Sequence, residues 1–188
     1  VAGLGLGGVI LTLAAQDTAK NLLGGVVIFI DKPCKVGDFI EVGNDVGVVE
    51  DITFRSTAIR TADDSLLHIP NSEMSSVAIT NWNEINRRRY RTSLLINLGT
   101  PLEKIQKTKN EIENMLSEQE GILVDTIIVN FDNILNSGNE LVVIAYTDIT
   151  DYRAYLKLKE TLNYNIMKIV ENNNVNLAHN AQTVYVKN

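Results

Sequence analysis

Three patterns of apolar and polar positions succeed one another along the chain. Residues 1–16 (VAGLGLGGVILTLAAQ) carry no charge and mix glycine and alanine with aliphatic residues. At about 100° per residue, Leu6, Val9 and Leu13 fall on one narrow face of a helix. Beside that line, Gly5, Gly8, Thr12, Ala15 and Ala19 make one small-residue face, and Gly3, Gly7 and Ala14 make another. Small residues let helix backbones approach closely inside a bilayer. The pattern therefore predicts a helix with two packing faces and an apolar line between them. That arrangement suits a ring of identical helices around a pore, where an apolar constriction gates by dewetting.

From residue 26 to about residue 83 the period changes. Short apolar runs, the first strand-like at 26–30, are interrupted at close intervals by glycine, asparagine and aspartate, which predicts a small all-β module. Its strands are expected at 39–42, 46–54, 57–61 and 66–69, with turns at Gly43-Asn44-Asp45 and Ala62-Asp63-Asp64-Ser65. Residues 89–97 read as a further strand. Thr100-Pro101-Leu102-Glu103 then offers an N-cap, a proline at the first helical position and a capping-box glutamate. Leu102, Ile105, Ile112, Met115 and Leu116 recur at helical spacing behind it. Strands at 126–131 and 140–147 flank the turn Asn136-Ser137-Gly138-Asn139. Thr150 or Asp151 caps a second helix, with Tyr155, Leu158, Leu162, Ile166, Ile169 and Val170 as its apolar stripe. With a last extended stretch at 178–185, the second half has the βαββαβ order of a ferredoxin-like module.

Composition narrows the functional classes. The chain has 188 residues, 45% of them apolar and 21% charged, which fits globular domains with real cores. A net charge of −6 argues against nucleic acid as a partner, because phosphate binding rests on concentrated Lys and Arg. The one basic cluster, Arg87, Arg88, Arg89 and Arg91, reads as a solvated strand entrance rather than an anion-attracting patch. The single cysteine, Cys34, fits a reducing compartment and an ordinary packed thiol. His68 and His179 stand apart from other chemistry-bearing residues, so no catalytic constellation, metal site or cofactor is expected. Gly3, Gly5 and Gly8 with Asp31 match a dinucleotide fingerprint in spacing. The fingerprint requires a strand leading into the glycines, and only two residues precede Gly3. A buried helix of a soluble domain is another reading of residues 1–16, which fall short of the roughly twenty that span a bilayer.

The successive pieces resemble a known family. The glycine- and alanine-rich helix ending in Ala14-Ala15-Gln16, then Asn21-Leu22-Leu23-Gly24-Gly25, Asp31-Lys32-Pro33, Val36-Gly37-Asp38, Arg60-Thr61-Ala62-Asp63 and Ile69-Pro70-Asn71-Ser72 are similar, in order and spacing, to the small-conductance mechanosensitive channels. The resemblance implies a channel in the cell's inner membrane, its bulk cytoplasmic, opened by tension to release ions and small osmolytes during hypo-osmotic stress. It implies a homoheptamer in contact with membrane lipid, with pore rings at Val9 and Leu13 and a helix bend at Gln16 and Asp17. Asn21, Gly25, Pro70 and Asn71 are the family motif residues. The implied organisation is a pore helix and following turn (1–25), an SH3/Sm-like β domain (26–86), an α/β domain (87–181) and a C-terminal barrel strand (182–188). Val9 and Asp17 depart from the leucine and glycine that members commonly carry, so the upper ring is expected to be weaker and the bend to arise by another route, with Asp17 capping a following helix. The alternative outside the channel class is a soluble oligomeric scaffold with no pore.

Overall fold

The computed structural model describes residues 2–178, with side chains from residue 12 onward. These fall into two compact units, residues 1–85 and 86–188.

The first unit begins with α1 (Ala2–Asp31), a single helix of 30 residues. Residues 26–30, expected to be extended, form its last turns. Their β-branched side chains favour strand only weakly, and the helix continues because its period places Gly24 and Ile28 on one buried face. Asp17 caps no second helix. It lies inside α1, where its carbonyl accepts from Asn21 Nδ2 at 2.9 Å and its carboxylate sits 4.0 Å from Lys20 Nζ. The helix is unbroken through Gln16 and Asp17. Among the described residues no helix is long and apolar enough to cross a membrane.

After α1 come β1 (Phe39–Val42), β2 (Asp45–Ile52), β3 (Ser56–Thr61), β4 (Leu66–Pro70), the single turn α2 (Asn71–Met74) and β5 (Ile79–Asn81). They form one antiparallel sheet in the order β4-β3-β2-β1-β5. Both expected turns are present, and Gly43 and Asp64 adopt the left-handed backbone there, at φ 61° each. Alternation sends Ile40, Val42, Val49, Ile59 and Ile69 to one side, where Met74, Cys34 and Ile28 close the core. Each such side chain, fully buried, contributes roughly 1.5–3 kcal/mol.

The second unit contains β6 (Arg88–Ile96), α3 (Leu102–Glu118), β7 (Ile122–Leu135), β8 (Gly138–Thr147) and α4 (Tyr152–Asn172). The sheet order is β6-β8-β7, antiparallel throughout. The central strand β8 buries Leu141, Val143 and Ala145 against stripes from α3 (Ile105, Ile112, Leu116) and α4 (Leu158, Leu162, Ile166, Val170). Leu102, expected in the first stripe, is 67% exposed, and Thr108 is buried on that face instead. The two helix starts differ. Asp151 caps α4, its Oδ1 accepting from the Ala154 amide at 2.8 Å. Thr100 supplies no cap to α3, because Pro101 occupies the cap position without a side-chain bond. Leu177 makes an antiparallel bridge to Ile96. The expected C-terminal barrel strand at 182–188 and His179 lie outside the described residues.

Candidate pore helix and its anchor on the β unit

Two stretches of α1 have different surroundings. From Thr12 to Lys20 every side chain is exposed within the single chain, Leu13 by 64%. Thr12, Ala14 and Ala15 of the predicted packing faces belong to this stretch. Leu6, Val9, Gly3, Gly5, Gly7 and Gly8 stand on the backbone of α1, but their surroundings are outside the described residues. From Asn21 on, one face is held. Asn21 Oδ1 accepts from the Ser72 amide at 3.1 Å and the Ser72 hydroxyl at 2.7 Å. One turn further, Gly24 lies so close to the Asn71 carbonyl that a Cβ would collide with it, and a Cβ on Gly25 would stand 2.7 Å from the Phe54 carbonyl. A glycine inside a helix costs about 1 kcal/mol relative to alanine. Two in succession are explained here by the closeness of backbone to backbone.

The other side of the contact is a buried asparagine. Asn71 is fully buried: its Oδ1 accepts from Thr57 Oγ1 at 2.9 Å, its Nδ2 donates to the Thr53 carbonyl at 2.9 Å, and its amide donates to the Arg55 carbonyl at 2.9 Å. A buried amide side chain is tolerable only when its groups are paired. Pro70, with φ −58° and ψ 137°, ends β4 and turns the chain into α2, whose backbone meets α1. The four motif residues Asn21, Gly25, Pro70 and Asn71 thus converge on one joint between α1 and the sheet. Sequence reasoning named Gly24 and Ser72 only as neighbours of the motif residues, without a role, and gave no sign of Thr57 and Thr53 as further members. The pair Gly24-Gly25 within a helix was the signal available for Gly24.

Other sequence candidates fall away from this joint. Cys34 is buried, and its thiol is pushed up by burial and by the Asp38 carboxylate. His68 is exposed on β4, opposite Ala58. In the second unit Arg88 donates to the Thr150 carbonyl at 2.8 Å and lies over the rings of Tyr152 and Tyr155, which ties the start of β6 to the start of α4. Arg87 lies over Tyr146.

The family model for the mechanosensitive ion channel β-domain matches residues 17–84, and that for the C-terminal domain of the mechanosensitive ion channel MscS matches residues 91–177. The chain belongs to the MscS family. An MscS family protein of Bacillus subtilis, YhdY, is 41% identical over all of this chain and half of its own length. The large-conductance mechanosensitive channel MscMJLR of Methanocaldococcus jannaschii is 34% identical over all of this chain and 53% of its own length. The closed-state crystal structure of Helicobacter pylori MscS superposes with a TM-score of 0.82 at 25% identity, covering all of this chain and 72% of that one. The chain spans about half the length of the curated relatives it matches. The MscS family model begins at residue 17, so it includes the joint built by Asn21, Gly25, Pro70 and Asn71 but not Val9 or Leu13.

Proposed function

We propose that the full-length protein is a mechanosensitive channel of the inner membrane. Membrane tension opens it, and it releases ions and small osmolytes under hypo-osmotic stress. The observation that carries this reading is the contrast along α1: the end nearest the β unit is clasped, while Leu13, further along the helix, is largely exposed in the single chain. Six further copies of α1 cover it in a homoheptamer, with Leu6, Val9 and Leu13 facing the axis. Gly5, Gly8, Thr12 and Ala15 of one copy then slide over Gly3, Gly7 and Ala14 of the next. The apolar run of sixteen residues makes about 24 Å of helix, a few ångströms less than a bilayer core, and bilayers thin locally to meet such a span. Below the membrane the reading places an SH3/Sm-like β domain, a ferredoxin-like α/β domain and a terminal barrel strand at 182–188, with the bulk of this chain in the cytoplasm. Tension acts as a ligand for the state of larger in-plane area, and Val9 and Leu13 keep the narrower state dry.

Leu13→Ser in the full-length protein is the direct test, read by patch recording under suction. The expected result is a lower opening threshold, because a polar ring hydrates the constriction. An unchanged threshold would put the gate elsewhere.

A further inference from the structure

From Leu22 to Ile30, α1 carries no polar side chain on any face, the run being Leu-Leu-Gly-Gly-Val-Val-Ile-Phe-Ile. A helix that is apolar all round is one that is enclosed all round. Among the described residues the β unit encloses one side only: Asn21 meets Ser72, Gly24 and Gly25 meet the Asn71 and Phe54 carbonyls, and Ile28 enters the core. At about 100° per residue, Leu23, Val26 and Ile30 fall on the opposite side of the helix. They are 66%, 54% and 69% exposed, a continuous aliphatic face at i, i+3 and i+7 with nothing against it in the single chain.

This face prolongs another. Because α1 is unbroken from Ala2 to Asp31, the helical period runs through it without a change of phase, and Gly5, Gly8, Thr12, Ala15 and Ala19 lie on the same line as Leu23, Val26 and Ile30. Side-chain size changes along that line, small as far as Ala19 and branched from Leu23 onward. Small residues admit a neighbouring backbone closely, whereas branched ones hold a helix axis about 8–10 Å away. A neighbour that touches the upper part of the line therefore stands further off along the lower part, and the larger side chains fill the widening gap. Phe29, 77% exposed, lies off the line.

We propose that the adjacent copy of this chain covers the Leu23-Val26-Ile30 face of α1, so that the contact between copies runs the length of the helix and does not end with its small residues. Continuity with the Gly5-to-Ala19 line favours a second copy over a lipid surface, since a graded line of small and then large residues fits a neighbour of fixed shape and gives fluid acyl chains nothing to select. The clasp already occupies the opposite side, so the next copy meets this face with a different surface of its own, as in any head-to-tail ring. Held by its own β unit on one side and by the next copy on the other, α1 cannot tilt at the clasp in one copy alone. The proposal rests on the homo-oligomeric reading above.

The test places glutamate on and off the line in the full-length protein: Leu23→Glu with Ile30→Glu on it, Phe29→Glu off it. All three positions are exposed in the single chain, so each variant is expected to keep the parent's urea midpoint. Native mass spectrometry in detergent is expected to show the fraction of intact ring reduced about tenfold or more in the double variant, because an unpaired carboxylate resists burial, and unchanged in Phe29→Glu. An intact ring in the double variant would overturn the contact while leaving the oligomeric reading in place. Equal loss in Phe29→Glu would deny the line any special part and overturn it as well. Intact rings throughout, with weaker retention of the double variant on phospholipid vesicles, would assign the face to lipid instead. A single-copy mass for the parent protein would remove the oligomeric reading and this one with it. Should the double variant fail to fold, Val26→Cys and Phe29→Cys supply a second arm, with the parent, whose one cysteine is buried, as the blank. Val26→Cys is expected to react with a maleimide more slowly than Phe29→Cys in the intact ring, and equal rates would overturn the contact.

Discussion

At the scale of residues, the joint between α1 and the sheet depends on two glycines and one asparagine that have no slack. Any side chain at Gly24 would have to displace the Asn71 carbonyl, which is backbone and cannot rotate away. In Asn71→Ala, the buried Thr57 hydroxyl loses its partner, while the carbonyl of the exposed Thr53 loses a donor that water can replace. A stranded buried polar group costs about 1–3 kcal/mol, so the variant is expected to lose stability by that amount, measured as a shift of the urea midpoint. A second buried polar group, the Tyr90 phenol, donates to Asn163 Oδ1 at 2.7 Å. Burial, with Tyr155 nearby, pushes its pKa from 10 up to about 12. Above pH 10 the unfolded chain releases a proton that the folded chain keeps. Stability is therefore level below pH 10 and falls as pH rises from 10 to 12, by about 3 kcal/mol from this group. Tyr90→Phe is expected to flatten that part of the profile in denaturation curves taken across the range.

Elements differed in how much of them was legible. The stripes of α3 and α4 and the alternation of β1 to β4 follow from side-chain period alone, because each buries one face within its own unit. The last turns of α1 did not follow, since a run of Val, Val, Ile, Phe and Ile has no helical stripe of its own; what holds it helical is contact between Gly24, Gly25 and a segment nearly fifty residues away. Helix starts show the same division. Asp151 was readable as a cap because one residue's geometry suffices, whereas Thr100 lost its role to Pro101, which sets the backbone at the cap position. Asp151→Ala is accordingly expected to cost about 1 kcal/mol and Thr100→Ala close to nothing, compared by thermal unfolding of the two variants. The candidate site was half legible. Asn21, Gly25, Pro70 and Asn71 were picked out by resemblance, but their meeting in one joint, and the part of Ser72 and Thr57 in it, required the fold.

For the molecule as a whole, pattern along one chain says which surfaces lack partners and leaves open what fills them. The arginines at 87–91 illustrate this. Read as sequence they are a solvated strand entrance, yet on the sheet two of the four lie over tyrosine rings, Arg87 over Tyr146 and Arg88 over Tyr152 and Tyr155. The continuity of α1 has a mechanical meaning of the same order. Residues 2–20 project about 28 Å beyond the clasp at Asn21 as one continuous helix. At the pivot, Gly24 and Gly25 interpose no side chain between helix and sheet, so there is no compressible cushion to absorb a tilt. A tilt of the helix at this pivot bears directly on α2 and the end of β4, and the β unit is the first body that must yield or turn.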